Sequence, residues 1–431
     1  SHGTHVAGTV AGIGDGVNTY TGVAPDAKLH AIKVFGADGS TGDAVIIAAL
    51  EYSADPNKDG DLADQLDVIN LSLGSGYGTP HLLYSEAMKN LVDGGTLAVA
   101  SAGNSGHTSY IVGAPGTTTE AISVAASIDN MGHNWKFDAS RFNLPGGDEI
   151  LVEAVEASFA KPIEEAQELA GKLVFAGLAT EPFDQELAGQ VAGNVALIDR
   201  GAVAFCTKAE HAKAAGAIGV VVANNVDGDA FTMGGDCEFD IPAIMITNTL
   251  GATLKENMAS GDVTIKFYSG EKIEKPELID TLTSFSSQGP RSIDAAIKPE
   301  VAAPGYNIVS AKAGSGDQGV KFNGTSMAAP HVAGLAALVK QKHGDLDNAA
   351  LKSLIVNSAL TINDAEGTVY PVSQQGAGRV QTLNALNAQV VVQPATLSVG
   401  AVLVERKKAL RKEFTVTNLS DETVELTMEV T

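Results

Sequence analysis

The sequence predicts an α/β protein: a doubly wound, mostly parallel sheet, interrupted by an inserted β-rich α+β unit and followed by the start of a β-sandwich. Three observations predict it. Short apolar runs bounded by turn signals, 66–73 and 95–102, alternate with stretches of helical spacing, the pattern of buried parallel strands joined by helices. Near residue 135 the texture changes, and from Leu282 the first texture returns; a unit bracketed by two halves of another is most simply an insertion. Past about residue 388 the helical spacing stops, and 414–418 and 423–430 alternate apolar and polar residues as half-buried strands do.

In chain order, 2–12 is small and apolar and reads as a buried helix, 29–35 as a strand, and 43–52 as a helix. The inserted stretch brings strand runs at 173–175, 195–198, 220–223 and 243–246, with a helix over 207–215. A further buried strand and a long apolar helix over 325–343 follow. The expected segments are 1–136 and 278–388 for the α/β domain, 137–277 for the insertion and 389–431 for an incomplete sandwich.

Composition narrows the function. The chain has 431 residues, 44% of them apolar, enough for two or three domains with a sizeable core. With 28 Lys and Arg against 51 Asp and Glu, the net charge is −23, which argues against nucleic acid or an anionic membrane surface as partner. No apolar run reaches the roughly 18 residues of a membrane span. Cys206 and Cys237 suffice for one bridge and no more. The chain opens in mid-pattern on Ser1-His2-Gly3 without an initiator Met, so it reads as cut at its N-terminus.

The chemistry concentrates in three places. In Asn323-Gly324-Thr325-Ser326-Met327-Ala328-Ala329-Pro330-His331, glycine allows a sharp turn that sets Ser326 at a helix N-terminus, where free N–H groups face a developing oxyanion. The helix that follows is apolar nearly all round, a buried and rigid mount. In Ser1-His2-Gly3-Thr4-His5-Val6-Ala7-Gly8, a histidine on a buried helix of small residues can reach a serine distant in sequence. Zinc binding by His2 and His5 is discounted, because their spacing is i, i+3 and the neighbour of His2 is glycine, not glutamate. In Ser101-Ala102-Gly103-Asn104, a side-chain amide just past a strand end is suited to donate to an oxyanion.

Together with Gly22-Val23-Ala24-Pro25, Asp67-Val68-Ile69-Asn70-Leu71-Ser72-Leu73-Gly74 and Ser284-Phe285-Ser286-Ser287, these motifs resemble the subtilases, the subtilisin-like serine proteases, in the family's order. The resemblance implies roles. His2 matches the general base, Ser326 the nucleophile and Asn104 the oxyanion amide. Ser72-Leu73-Gly74 and Ser101-Ala102-Gly103 match the walls of the pocket for the residue before the scissile bond. Gly113 matches its floor, which leaves room for large apolar side chains. Ser40-Thr41-Gly42 matches the edge that pairs with extended substrate. The family's orienting aspartate precedes the histidine, so the triad is expected to be completed upstream of this chain, and these 431 residues alone are expected to be weak or inactive.

The insertion resembles a protease-associated (PA) domain through Asn194-Val195-Ala196-Leu197-Ile198-Asp199-Arg200-Gly201, Ala212-Lys213-Ala214-Ala215-Gly216-Ala217 and Ile241-Pro242-Ala243-Ile244-Met245-Ile246. Asp199 follows an apolar strand as a triad aspartate does, but it comes after the histidine and lies in the insertion, so it is set aside. The sandwich start is read as fibronectin-III-like (Fn3-like).

Asp55, Asn57, Asp59, Asp61 and Asp64 space oxygen ligands around Gly60 as a calcium loop does, although the twelfth position is Leu66 rather than glutamate. Structural calcium is the expectation, weighed against a solvated acidic loop. The sequons at Asn70 and Asn323 fall inside the motifs and are discounted. The sequence therefore predicts a secreted serine endopeptidase acting on proteins or peptides, with large apolar residues preferred before the cut. The rival is a catalytically dead subtilase-like extracellular binding or adhesion protein.

Overall fold

The computed structural model describes residues 2–14, 16, 20–36, 39–166, 168–227, 230–235, 237–402 and 409–427. They form two compact units, Ser1–Asn134 with Glu277–Thr431, and Trp135–Pro276.

The first unit runs α1 (His2–Ala11), α2 (Asp43–Ala54), β1 (Val68–Leu71), α3 (Leu83–Asp93), β2 (Leu97–Ser101) and β3 (Ile122–Ser127). After the second unit come β4 (Val301–Pro304), the hairpin β5 (Ile308–Ala311) and β6 (Gly319–Phe322), α4 (Thr325–Lys342) and α5 (Asn348–Asn357). The strands β1-β2-β3-β4 form a sheet in that order, with every neighbour parallel. Successive strand residues point to opposite faces, and both faces are covered. Leu97, Val99, Ile122, Val124 and Val301 meet Val332, Leu335 and Val339 of α4 and Leu351 and Leu354 of α5. Ile69 and Ala98 meet Ile46 and Leu50 of α2 and Met88 and Leu91 of α3. A strand buried on both faces has to be apolar throughout, which is why these runs read as continuous.

Helices α1 and α4 pack closely because their contact positions are small. A Cβ at Gly334 would lie 2.6 Å from Val23 Cβ and 3.3 Å from the Val10 carbonyl oxygen. His5 stacks on Phe322, which ends the hairpin leading into α4 four residues before Ser326. Going up α1 from His5 to Val10 is thus going from the segment just before α4 to Gly334 within it, so the two run parallel and their N-termini lie at the same end.

At the head of β4 a buried ion network ties the sheet to α5. Lys298 Nζ bonds Glu300 at 2.8 and 2.9 Å and the carbonyls of Thr118 and Ala121 at 2.7 and 2.9 Å. Lys352 Nζ reaches Glu300 at 2.7 Å, and the Ser123 N–H donates to Glu300 at 2.7 Å. Burial alone would raise the Glu300 carboxyl, but Lys298 and Lys352 outweigh it and hold its pKa below the ordinary value.

The second unit is a sheet whose centre, Ala170–Phe175, Val195–Asp199, Gly219–Ala223 and Ala243–Ile246, is parallel. Antiparallel strands flank it, Thr264–Lys266 and Lys136–Asn143 on one side and Val155–Glu156 on the other. Phe205–Ala214 and Asn248–Met258 are its longer helices. Cys206 and Cys237 are bridged, with Cα atoms 6.2 Å apart.

Among the described residues, two expected strands do not form. Residues 29–35 carry no ladder hydrogen bonds, and Leu29 is 52% exposed; an apolar run becomes a strand only where a neighbour accepts its backbone groups. The same holds for 423–427, while 428–430 lie outside the described residues. Thr415–Asn418 does form a strand and pairs antiparallel with Val390–Gln393.

Candidate active site

The site is built where the end of β2 meets the start of α4. Gly324 precedes the helix with φ of 151° and ψ of 158°, a conformation that a side chain disfavours. Ser326 therefore sits in the first helical turn, half-buried, where backbone N–H groups have no partner within the helix. Thr325, fully buried, donates to Asn104 Oδ1 twice, from its N–H and from its hydroxyl, both at 2.9 Å. The Gly103 N–H in turn donates to Thr325 Oγ1 at 3.1 Å. With Oδ1 saturated, Asn104 Nδ2 is the end left to donate. A Cβ at Gly324 would lie 3.4 Å from Asn104 Nδ2 and 3.5 Å from the Ser326 nitrogen, so the two donors border one small space.

The segments expected to wall the pocket meet at the same place. Ser101 Oγ donates to the Leu71 and Leu73 carbonyls at 3.4 and 3.3 Å. The Gly113 N–H donates to Ala102 O at 2.7 Å, and Ser75 and Ala114 exchange backbone hydrogen bonds at 3.0 Å. A Cβ at Gly113 would stand 2.9 Å from Ser75 O, and one at Gly74 2.6 Å from Ala114 O. Ser72 reaches the serine turn itself: its Oγ donates to Ser326 O at 2.7 Å, and Ser326 Oγ faces Ser72 O at 3.4 Å. Ser40, Thr41 and Gly42 are exposed and lead into α2 without forming a strand.

His2 heads α1, at the end of that helix that α4 shares with Ser326. It is exposed by area, yet burial of part of the ring lowers its pKa below 6.5. Among the described residues no hydrogen bond joins His2 to Ser326; such bonds are often long without substrate and tighten on binding. His5 is fully buried, its Nε2 shared between the Ile308 and Val320 carbonyls at 2.8 and 3.1 Å, its ring stacked on Phe322. It ties α1 to the hairpin that leads into Ser326. Asp199 pairs with Lys255 at 2.9 Å within the second unit.

In the acidic loop, the side chains of Asp55, Asn57, Asp59 and Asp61 accept from loop N–H groups at 2.8 to 3.2 Å. Asp64 Oδ2 accepts from the Asn57 N–H, and its Oδ1 is buried without a partner. Among the described residues, no three His, Cys, Asp or Glu side chains converge as a metal site.

Sequence reasoning assigned no role to Thr325, which fixes the orientation of the Asn104 amide, nor to the Ser72 hydroxyl. Their partners stand 221 and 254 residues away.

A profile of the subtilase family, peptidase S8, matches residues 1–378. The chain is similar to minor extracellular protease Vpr of Bacillus subtilis, 36% identical over 99% of the chain and 50% of that protein. It is also similar to the PI-type proteinase of Lactococcus lactis subsp. cremoris, 30% identical over 100% of the chain and 24% of that protein. A third relative is subtilisin-like protease SBT1.5 of Arabidopsis thaliana, 30% identical over 90% of the chain and 53% of that protein. The chain thus spans about half or less of the length of these relatives. The fold, the motifs and this match along most of the sequence agree: the chain belongs to the subtilase family.

Proposed function

We propose that this chain belongs to a secreted serine endopeptidase. Ser326 Oγ attacks the peptide carbonyl carbon while His2 takes its proton, and the oxyanion is held by Asn104 Nδ2 and the Ser326 N–H. His2 then protonates the leaving amine, and water repeats the sequence on the acyl-enzyme. In this reading an aspartate orients His2 and stabilises its charged form. The observation that carries this reading is the saturation of Asn104 Oδ1 by Thr325, which leaves the amide's donor end beside the Ser326 N–H.

Ser72, Leu73, Gly74, Ser101, Ala102 and Gly103 wall the pocket for the residue before the scissile bond, Gly113 floors it, and Ser40–Gly42 pairs with the extended substrate. Large apolar side chains are preferred, since glycine at 113 adds no bulk. Secretion is supported by the bridge between Cys206 and Cys237, which needs an oxidising compartment, and by a relative named as an extracellular protease. The second unit is read as a PA domain, and the paired strands near the C-terminus as the beginning of an Fn3-like sandwich.

Structural calcium in the loop of Asp55, Asn57, Asp59, Asp61 and Asp64 is proposed on the alternation of oxygens and on the orphaned Asp64 Oδ1. The acid groups do not converge as they stand, so binding would draw them inward.

The test is phosphonylation of the natural polypeptide by a fluorophosphonate, mapped by peptide mass spectrometry. Label on Ser326 that is lost in His2→Ala supports the reading. A folded protein that takes no label refutes it.

A further inference from the structure

The first turn of α4 lacks one of its own hydrogen bonds. In an α-helix the carbonyl of residue i accepts from the N–H of residue i+4. Four residues after Ser326 stands Pro330, inside the helix, and proline has no N–H to give. The carbonyl deprived of its donor is that of Ser326, and a side chain takes the donor's place. Ser72 Oγ donates to Ser326 O at 2.7 Å.

A third residue sets the direction of that hydroxyl. Asn70 Nδ2 donates to Ser72 Oγ at 2.9 Å, which occupies a lone pair of the hydroxyl and leaves its proton for Ser326 O. Asn70 is held in β1 by its register with Val99 of β2. Its own Oδ1 is buried and finds no partner, a standing cost that an apolar residue would not incur.

We propose that Asn70 is a positioning residue for Ser326. Acting through the Ser72 hydroxyl, it supplies the hydrogen bond that Pro330 removes from the helix. The pose of the serine turn is thereby set from the strand that leads into the pocket wall. This rests on the reading of Ser326 as the nucleophile.

The test is a double-mutant cycle in the natural polypeptide. Fluorophosphonate labelling of Ser326, kcat and KM on a short peptide substrate, and melting temperature are measured for wild type, Asn70→Ala, Pro330→Ala and the pair. Asn70→Ala is expected to slow labelling and kcat about tenfold with KM nearly unchanged, the loss of one well-placed hydrogen bond. In the Pro330→Ala background residue 330 regains an N–H, and the penalty of Asn70→Ala on rate should shrink to less than about twofold. The same rate penalty in both backgrounds overturns the proposal and leaves Asn70 a structural residue, whose melting-temperature cost would not depend on residue 330. If Asn70→Ala does not fold, Ser72→Ala in the two backgrounds makes the same comparison with the loss of a single oxygen. A folded wild type that takes no label overturns the nucleophile reading and the proposal with it; label with additive penalties overturns the proposal alone.

Discussion

In the first unit, Lys298 and Glu300 are each 2% exposed and bonded to one another, with Lys352 as a third partner at 12%. In the second, several ion pairs stand at the surface, Lys172 with Asp262, Arg141 with Glu149 and Lys136 with Glu274, and none described there is buried as deeply as Lys298 and Glu300. The second unit instead carries the disulfide, which closes a separation of 31 residues. A charge inside a sheet-and-helix core must be matched, because its removal strands the partner in a low dielectric. A charge at a solvated sheet edge is screened and contributes little. The two units therefore differ in where a single substitution does damage. In the first it is at a charge; in the second it is at a covalent bond.

The largest effect bears on function rather than stability. Ser326→Ala is expected to abolish fluorophosphonate labelling and lower kcat by roughly 10⁶, with an unchanged melting temperature. Next is the buried network. Glu300→Gln leaves Lys298 without its counter-charge and should destabilise the first unit by about 3–5 kcal/mol in urea unfolding. Because the Glu300 pKa is lowered on folding, its contribution is present above the unfolded value of 4.5 and is lost as pH falls through the folded value. Glu300→Gln should accordingly flatten the acid limb of the stability curve. Removing the bridge by Cys206→Ala with Cys237→Ala should cost about 3 kcal/mol. Arg141→Ala should cost less than about 1 kcal/mol. If Arg141→Ala proved as damaging as Glu300→Gln, the contrast between the units would fail.

Much of the parallel sheet was legible because burial on both faces leaves only apolar residues between turns, as at Val68–Leu71 and Leu97–Ser101. The strand expected at 29–35 failed because periodicity reports apolar character and says nothing about a neighbour to pair with. The serine turn was legible from Gly324 and Ser326, where a local conformation demands particular residue types. The support around it was legible only in part: Asn104 was read as an oxyanion amide, but the hydrogen bonds of Thr325 and of the Ser72 hydroxyl join segments far apart in the chain. One local signal was available: Pro330, four residues after Ser326, announces a carbonyl that must find its donor elsewhere. The ion network had a fainter one, Lys298 and Glu300 set just ahead of a buried apolar strand with nothing nearby in sequence to explain them.

The close seating of α1 and α4 on their neighbours gives one glycine in each a weight that its chemistry does not suggest. A Cβ at Gly8 would lie 2.4 Å from Ser310 Oγ, as one at Gly334 would press on Val23. The distance between His2 and Ser326 is thus governed by atoms that are missing. In a survey of every single substitution scored for proteolysis, these two silent positions should rank beside the reacting residues in intolerance, and a methyl group should suffice to reveal it.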